Sequence, residues 1–226
     1  MLAIIPAKKH SNRIPNKNIK LLNSKPLLFY SIRAALKSKF LTRVIVSTDC
    51  PKIALISKKF GAEVPFLRPK KLTNDSSSMK DICRHALIFL EKKEKITFND
   101  IVGLQPTSPL RSDKDIDLAI ELFIKKKAEC VMSFNKTKPL EWHKYIKKNN
   151  NFYSLIKKNK IKENFILNGA IYIYSRSYLF SNKDYTINSK KSFAYVMPRE
   201  RSVDIDEHMD FDLAETLIKK KYSKTF

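Results

Sequence analysis

Short apolar runs alternate along the chain with stretches in which apolar positions recur every third or fourth residue, the pattern of buried strands separated by amphipathic helices. Leu2–Pro6 reads as a buried strand, followed by a polar loop to about Lys20. Pro26 suits a first helical position, and Leu27, Leu28, Ile32 and Ala35 continue on one helical face. Arg43–Thr48 is a β-branched strand ending at Asp49. Pro51 opens a helix that Gly61 can close in a left-handed cap. A short strand is predicted over Val64–Leu67, a helix over Met79–Lys93 and a strand over Asp100–Leu104. Ser112 with Asp115 forms a capping-box pattern for a helix over Lys114–Lys127, and Cys130–Phe134 is again a strand. Ile171–Tyr174 and Ala194–Met197 return to strand pattern, and Glu207–Tyr222 is a closing helix. Such alternation specifies a largely parallel sheet covered by helices.

Between Asn135 and about Asn164 the pattern changes to Lys- and Asn-rich pieces with short alternation around Trp142-His143-Lys144-Tyr145 and Phe152-Tyr153. This reads as an excursion from the sheet over residues 135–165, a small β-extension used for dimer contact or for the edge of a substrate site. No repeat or linker divides the chain, so residues 1–226 are expected to form one domain.

At 226 residues, 43% hydrophobic and 11% aromatic, the chain can bury a full core. No apolar run approaches the ~20 residues that span a bilayer, and the N-terminus lacks a signal-peptide pattern. Cys50, Cys83 and Cys130 are odd in number and widely spaced, as expected for reduced thiols in a cytoplasmic protein. The net charge of +23 raises a nucleic-acid reading. Against it, arginine is scarce, and the lysines spread along the chain and often fall where helices end, as in Lys125–Lys127 and Lys219–Lys221. A solvated lysine surface is the simpler account, and its field suits anionic substrates such as a nucleoside triphosphate.

Two segments carry candidate chemistry. The loop Pro6–Asn18 leaves the C-terminal end of the first strand, where open α/β sheets bind ligands; its backbone amides and Lys8 and Lys17 suit phosphate oxygens. Spacing alone does not separate that reading from a solvated basic loop. The chain's glycines are Gly61, Gly103 and Gly169, so the loop is no P-loop. The second segment is Ser202-Val203-Asp204-Ile205-Asp206. Extended residues two apart share a face, so Asp204 and Asp206 can present two carboxylates to one Mg²⁺. The plainer alternative is an acidic loop capping the last helix.

Six stretches in order, IIPAKKHSNRIPNKN at the start, VIVSTD at 44–49, GAEVPFLRPKKLTNDSSS at 61–78, LQPTSPLR at 104–111, NGAIYI at 168–173 and SVDIDEHMDFDLAE at 202–215, resemble the acylneuraminate cytidylyltransferases, the CMP-sialic acid synthetase family. The resemblance implies a Rossmann-like three-layer nucleotide-diphosphosugar transferase fold with a mostly parallel sheet and a small β-extension. It implies a homodimer that converts CTP and an acidic 2-keto-3-deoxy sugar to CMP-sugar and pyrophosphate with Mg²⁺. By position it places Lys8 and Lys17, with Ser11 and Asn18, on the nucleotide phosphates. Arg68 and the backbone around Ser77 and Ser78 fall where cytosine is recognised, and Gln105, Asn168 and Tyr172 face the sugar. Asp204 and Asp206 match the metal-binding aspartates, with Asp204 the more important. Legionaminate, pseudaminate or an octulosonate are alternative sugars; a weakened homologue that binds nucleotide or RNA is the alternative of another class.

The chain departs from the family's pattern in two places. The family's first loop commonly reads R-G-G-S-K; here Lys8 replaces the arginine, and Asn12 stands at the second basic position with Arg13 next to it. Lysine does not reproduce a bidentate guanidinium. Between Tyr153 and Asn168 the family's Arg/Gln motif near the acidic sugar is missing; Lys157, Lys158 or Lys162 are the basic residues left to meet the sugar carboxylate. His10 and His85 read as a solvent-facing loop residue and a structural helix residue. Trp142 and His143 read as a dimer contact, and the aromatics of 165–180 as core.

Overall fold

A computed structural model describes the chain except residues 75, 138–144, 150–151, 157–163, 182–190 and 224–226. Strand β1 (Leu2–Pro6) leads through a 3-10 turn at Lys17–Ile19 and a tight hairpin, β2 (Leu21–Leu22) and β3 (Lys25–Pro26), into helix α1 (Leu27–Lys37). Strand β4 (Arg43–Ser47) is followed by α2 (Pro51–Lys59) and α3 (Met79–Glu94), and β5 (Asp100–Leu104) by α4 (Asp113–Lys125). Then come β6 (Cys130–Thr137), the hairpin β7 (Tyr145–Asn149) and β8 (Phe152–Ile156), β9 (Asn164–Ser175), α5 (Arg176–Phe180), β10 (Ser192–Met197) and α6 (His208–Ser223).

The six-stranded sheet runs β10-β6-β9-β5-β1-β4. Pairing is parallel for β1 with β4 and β5 and for β10 with β6, but β9 is antiparallel to both β5 and β6. The connections explain the direction of each strand. Helices carry the chain back between the parallel strands, whereas the described residues between β6 and β9 form the hairpin β7–β8.

Alternation along each strand divides the core between the two faces. Ala3, Ile5, Val44, Val46, Val102 and Leu104 pack against α1, α2 and α4. Leu2, Ile4, Ile45, Ile101, Met132 and Tyr174 pack against α3 and α5. A third cluster joins Ile14, Leu22, Leu27, Leu110, Ile205 and Phe211, fixing the loops at the sheet's C-terminal end to α1 and α6.

Three expectations shift. The Val64–Leu67 strand reduces to bridges of Glu63 with Ile45 of β4 and of Leu67 with Thr48 just after it, because Pro65 has no N–H to give a ladder. Pro26 caps α1 from the end of β3 rather than occupying its first turn; the hairpin turns on Asn23 and Ser24, both at positive φ. Helix α5 was not expected, its five residues being too short for a helical period. Among the aromatics of 165–180, Tyr172, Tyr174 and Tyr178 are core, while Phe165 and Phe180 are exposed. Trp142, His143, Lys157, Lys158 and Lys162 lie outside the described residues.

Candidate functional site

Parallel strands β1, β4 and β5 end on one side of the sheet, and the loops leaving β1 and β5 meet the segment after β10 around a cleft of about 500 Å³. Lys8, Ser11, Lys17, Asn18, Arg68, Ser77, Gln105, Asp204 and Asp206 line it together.

The first loop is held to this shape by its own contacts. Asn18 is buried, and its side-chain amide donates to the Lys8 carbonyl at 2.8 Å, so the two ends of the loop close on one another. Ile14 is fully buried and anchors the middle. Lys17 reaches across the cleft floor: its Nζ donates to the Ile205 carbonyl at 2.6 Å and stands 3.3 Å from Asp206 Oδ1. The Ile205 amide in turn donates to the Thr107 carbonyl at 2.8 Å. Buried Ile205 therefore works as a peg with Asp204 and Asp206 on either side, both on the cleft. The alternation expected from sequence puts the carboxylates on one surface.

Asp204 is electrostatically costly. Burial raises its pKa, repulsion from Asp206 and Asp210 adds to this, and a hydrogen bond from Thr107 and the charge of Lys17 oppose it. Its Oδ1 is buried without a hydrogen-bond partner. An under-satisfied buried carboxylate oxygen beside a second carboxylate suits an oxygen-seeking divalent cation that also takes substrate phosphates. Among the described residues no group of three or more His, Cys, Asp or Glu side chains is gathered as a metal site, so Asp204 and Asp206 are the carboxylates that the described part of the cleft offers.

Arg68 is 4% exposed, with Nε and Nη2 unpartnered. Burial lowers its pKa and Asp49 opposes the shift. Its amide donates to the Thr48 carbonyl at 2.7 Å, which fixes it at the end of β4. A buried guanidinium with unmet donors on the cleft is built to meet the acceptors of a flat polar group. Ser77 lines the cleft nearby, its hydroxyl donating to Asn74. The Ser78 hydroxyl is committed elsewhere, to the capping box with Asp81 that starts α3.

The expected sugar-facing residues separate. Gln105 lines the cleft, and Gly169 lies against it: a Cβ at Gly169, where φ is +70°, would come 2.5 Å from Gln105 Oε1. Asn168 is buried and fully engaged, accepting from Ser133 and the Ala170 amide and donating to Ser202 Oγ at 3.1 Å. It positions the start of the aspartate segment and does not line the cleft. Tyr172 is corrected to a core residue: strand alternation turns it toward α3, in the cluster with Tyr174, Met79 and Cys83. Gly169→Ala is expected to cost about 1 kcal/mol through its left-handed backbone and to push the Gln105 amide aside. Chemical denaturation and the KM for the group that Gln105 meets would check this; an unchanged KM would count against the contact.

Other residues of the site carried no sequence signal. Thr107 lies between Gln105, whose Oε1 is 3.4 Å from its hydroxyl, and Asp204, to which that hydroxyl hydrogen-bonds. Arg111 is 2% exposed and donates to the carbonyls of Gln105 and Ala170 and to Ser31 Oγ, clamping the end of β5 to β9. Burial brings its pKa down to about 9 against the opposing charge of Asp115. Thr107 and Arg111 fall inside the LQPTSPLR motif, but nothing in their type or spacing marks them out. His10 lies exposed on the loop and does not line the cleft. His85 packs edge-on to Phe66, and burial lowers its pKa, helped by Arg68 and Lys71.

A family model described as cytidylyltransferase matches residues 2–225. The chain is similar to an N-acylneuraminate cytidylyltransferase of Escherichia coli, 36% identical over 98% of this chain and 52% of that protein, so it spans about half of that relative's length. It is also similar to a CMP-N,N'-diacetyllegionaminic acid synthase of Legionella pneumophila, 35% identical over 96% of each chain. Among solved structures, a CMP:2-keto-3-deoxy-manno-octonic acid synthetase complexed with CTP superposes with a TM-score of 0.69 at 18% identity, covering 97% of this chain and 98% of that one. At that identity the superposition shows the shared Rossmann-like fold.

Proposed function

The chain belongs to the cytidylyltransferase family, and we propose that it transfers CMP from CTP to an acidic 2-keto sugar, N-acetylneuraminate or a related nonulosonate, releasing pyrophosphate. The observation that carries this reading is the convergence of Lys17, Arg68 and the Asp204/Asp206 pair on one cleft. In this reading Arg68 meets the acceptor edge of cytosine, and Lys8 and Lys17 neutralise the triphosphate, with Ser11 and Asn18 shaping the loop around it. Asp204 and Asp206 would hold Mg²⁺, which when bound supplies Lewis-acid polarisation of phosphate oxygens. Gln105 faces the sugar. The sugar's anomeric hydroxyl oxygen forms a bond to the α-phosphorus, the bond from that phosphorus to pyrophosphate breaks, and the hydroxyl proton is released. Lys17, 11% exposed and fixed by the Ile205 carbonyl, is placed to stabilise the charge that grows on the leaving group without reorganising.

Legionaminate is the second substrate reading, favoured by the full-length similarity to the Legionella protein. A homodimer joined through the β6–β9 arm fits the exposed Phe165, Ile166 and Leu167 there. No described helix is long and apolar enough to cross a membrane, and the cytoplasm, where CTP is available, is the proposed location. Pyrophosphate release is the test, measured with CTP, Mg²⁺ and a panel of neuraminate, legionaminate, pseudaminate and octulosonate acids, with sedimentation equilibrium for the dimer. Turnover with at least one nonulosonate is expected. No turnover with any acid would sink the reading, and a preference for ATP over CTP would sink the role of Arg68.

A further inference from the structure

Among the described residues that line the cleft, Arg13 is a basic residue to which the family pattern gives no role. Its side chain is 59% exposed, yet its location is not free. Ile14, next in sequence, is fully buried in the loop-anchoring cluster, and the Lys17 amide closes a turn on the Ile14 carbonyl at 3.2 Å. From that fixed backbone, Arg13 Nη2 reaches to 3.1 Å from Asp206 Oδ1, the same oxygen that Lys17 approaches at 3.3 Å. The guanidinium, the ammonium and the carboxylate therefore form one cluster on the cleft wall.

We propose that Arg13 is a triphosphate-binding residue of this chain, aimed by Asp206 and supplying the guanidinium that the first loop otherwise lacks. The inference rests on the functional reading above. Lys8 stands where the family has an arginine and Asn12 at its second basic position, so the loop has lost one guanidinium and one cation. Arg13, one residue further on, restores both. A guanidinium is a planar fork: one nitrogen on Asp206 tethers it at the cleft wall, and the remaining N–H groups can donate in pairs to phosphate oxygens. Lysine at position 8 meets phosphate only as a point charge. Asp206 then has two tasks, one toward a metal and one toward the orientation of Arg13. An exposed ion pair with no other duty would contribute little and could be deleted without consequence.

The test is calorimetric titration of the full chain with CTP and with CMP in the presence of Mg²⁺, for the unaltered protein, Arg13→Ala and Arg13→Lys. CTP affinity is expected to fall on the order of 10-fold in Arg13→Ala, as for loss of one charge-assisted contact. CMP affinity should stay within twofold, which also reports that the variant is folded, and Arg13→Lys should recover only part of the loss. Equal losses for CTP and CMP, or no loss for either, would overturn the assignment. Failure of the unaltered chain to bind CTP at all would instead remove the functional reading, and this inference with it.

Discussion

Asp204→Asn is expected to reduce the kcat/KM of CMP transfer by about 10³-fold, about 4 kcal/mol of transition-state stabilisation, while leaving the chain folded and somewhat more stable. The two effects have one cause. Asp204 is a partly buried carboxylate whose Oδ1 is buried and unpartnered, and Asp206 and Asp210 add repulsion. Holding a charge there works against the fold. Asparagine keeps the shape and can still accept the Thr107 hydrogen bond, but it carries no charge to repel Asp206 and is a poor ligand for a hard cation. A gain of about 1 kcal/mol, or roughly 3 °C in Tm, is expected for a chain of this size. Pyrophosphate release and thermal unfolding in metal-free buffer together check it. Retained activity would dismiss Asp204 as a metal ligand; a lower Tm would mean that its charge supports the fold instead.

Asp115→Ala is expected to have the opposite character, a loss of about 3 kcal/mol, the low end of the cost of breaking a buried ion pair because Arg201 remains a third exposed, and hence of roughly 10 °C in Tm. Asp115 is fully buried at the start of α4. It accepts two hydrogen bonds from Arg201 at 2.9 Å, one from the Tyr195 hydroxyl and two from Ser112. Burial alone would raise its pKa, but the bonds from Arg201 and Ser112 outweigh that and hold it below the ordinary 3.8. Because the folded value is the lower one, this stabilisation is complete above the ordinary value and fades as pH falls below it. The gap between the native chain and the variant should therefore be full at pH 7 and narrow toward pH 3. Urea unfolding at the two values measures it, and a gap that is small at pH 7 or indifferent to acid would refute the account. The loss also reaches the site: Arg201 directly precedes the Ser202–Asp206 segment, so without Asp115 the aspartates lose an anchor and activity should fall beyond what unfolding explains.

The main helices and most strands were legible in sequence to within a few residues, because burial on a strand or helix imposes a period of its own. The exceptions are Val64–Leu67, which forms only bridges, and β9, which starts at Asn164, seven residues before the expected Ile171, where its exposed first half shows no buried-strand pattern. The capping box at Ser112 was legible because it is a local hydrogen-bond exchange. So were the loop lysines and the alternating aspartates, each confined to a few neighbouring residues. The hairpin β2–β3 and helix α5 were not, being too short to show a period. Nor was the reversal of β9, which depends on how the chain returns from β6 rather than on any residue within β9.

What the sequence alone determined about this protein is therefore its local chemistry: an α/β chain with a basic loop after the first strand and a carboxylate pair before the last helix. The family resemblance grouped these residues in one site; how they touch one another there was decided only by the tertiary structure. It set Lys17 against Ile205 and Arg13 against Asp206 across more than 180 positions of chain, buried Arg68 with unmet donors on the same cleft, and turned Tyr172 away into the core. The physical reason is that desolvation and charge pairing are properties of a place in space, set by which segments the sheet brings to its C-terminal end, and no periodicity along the chain encodes them.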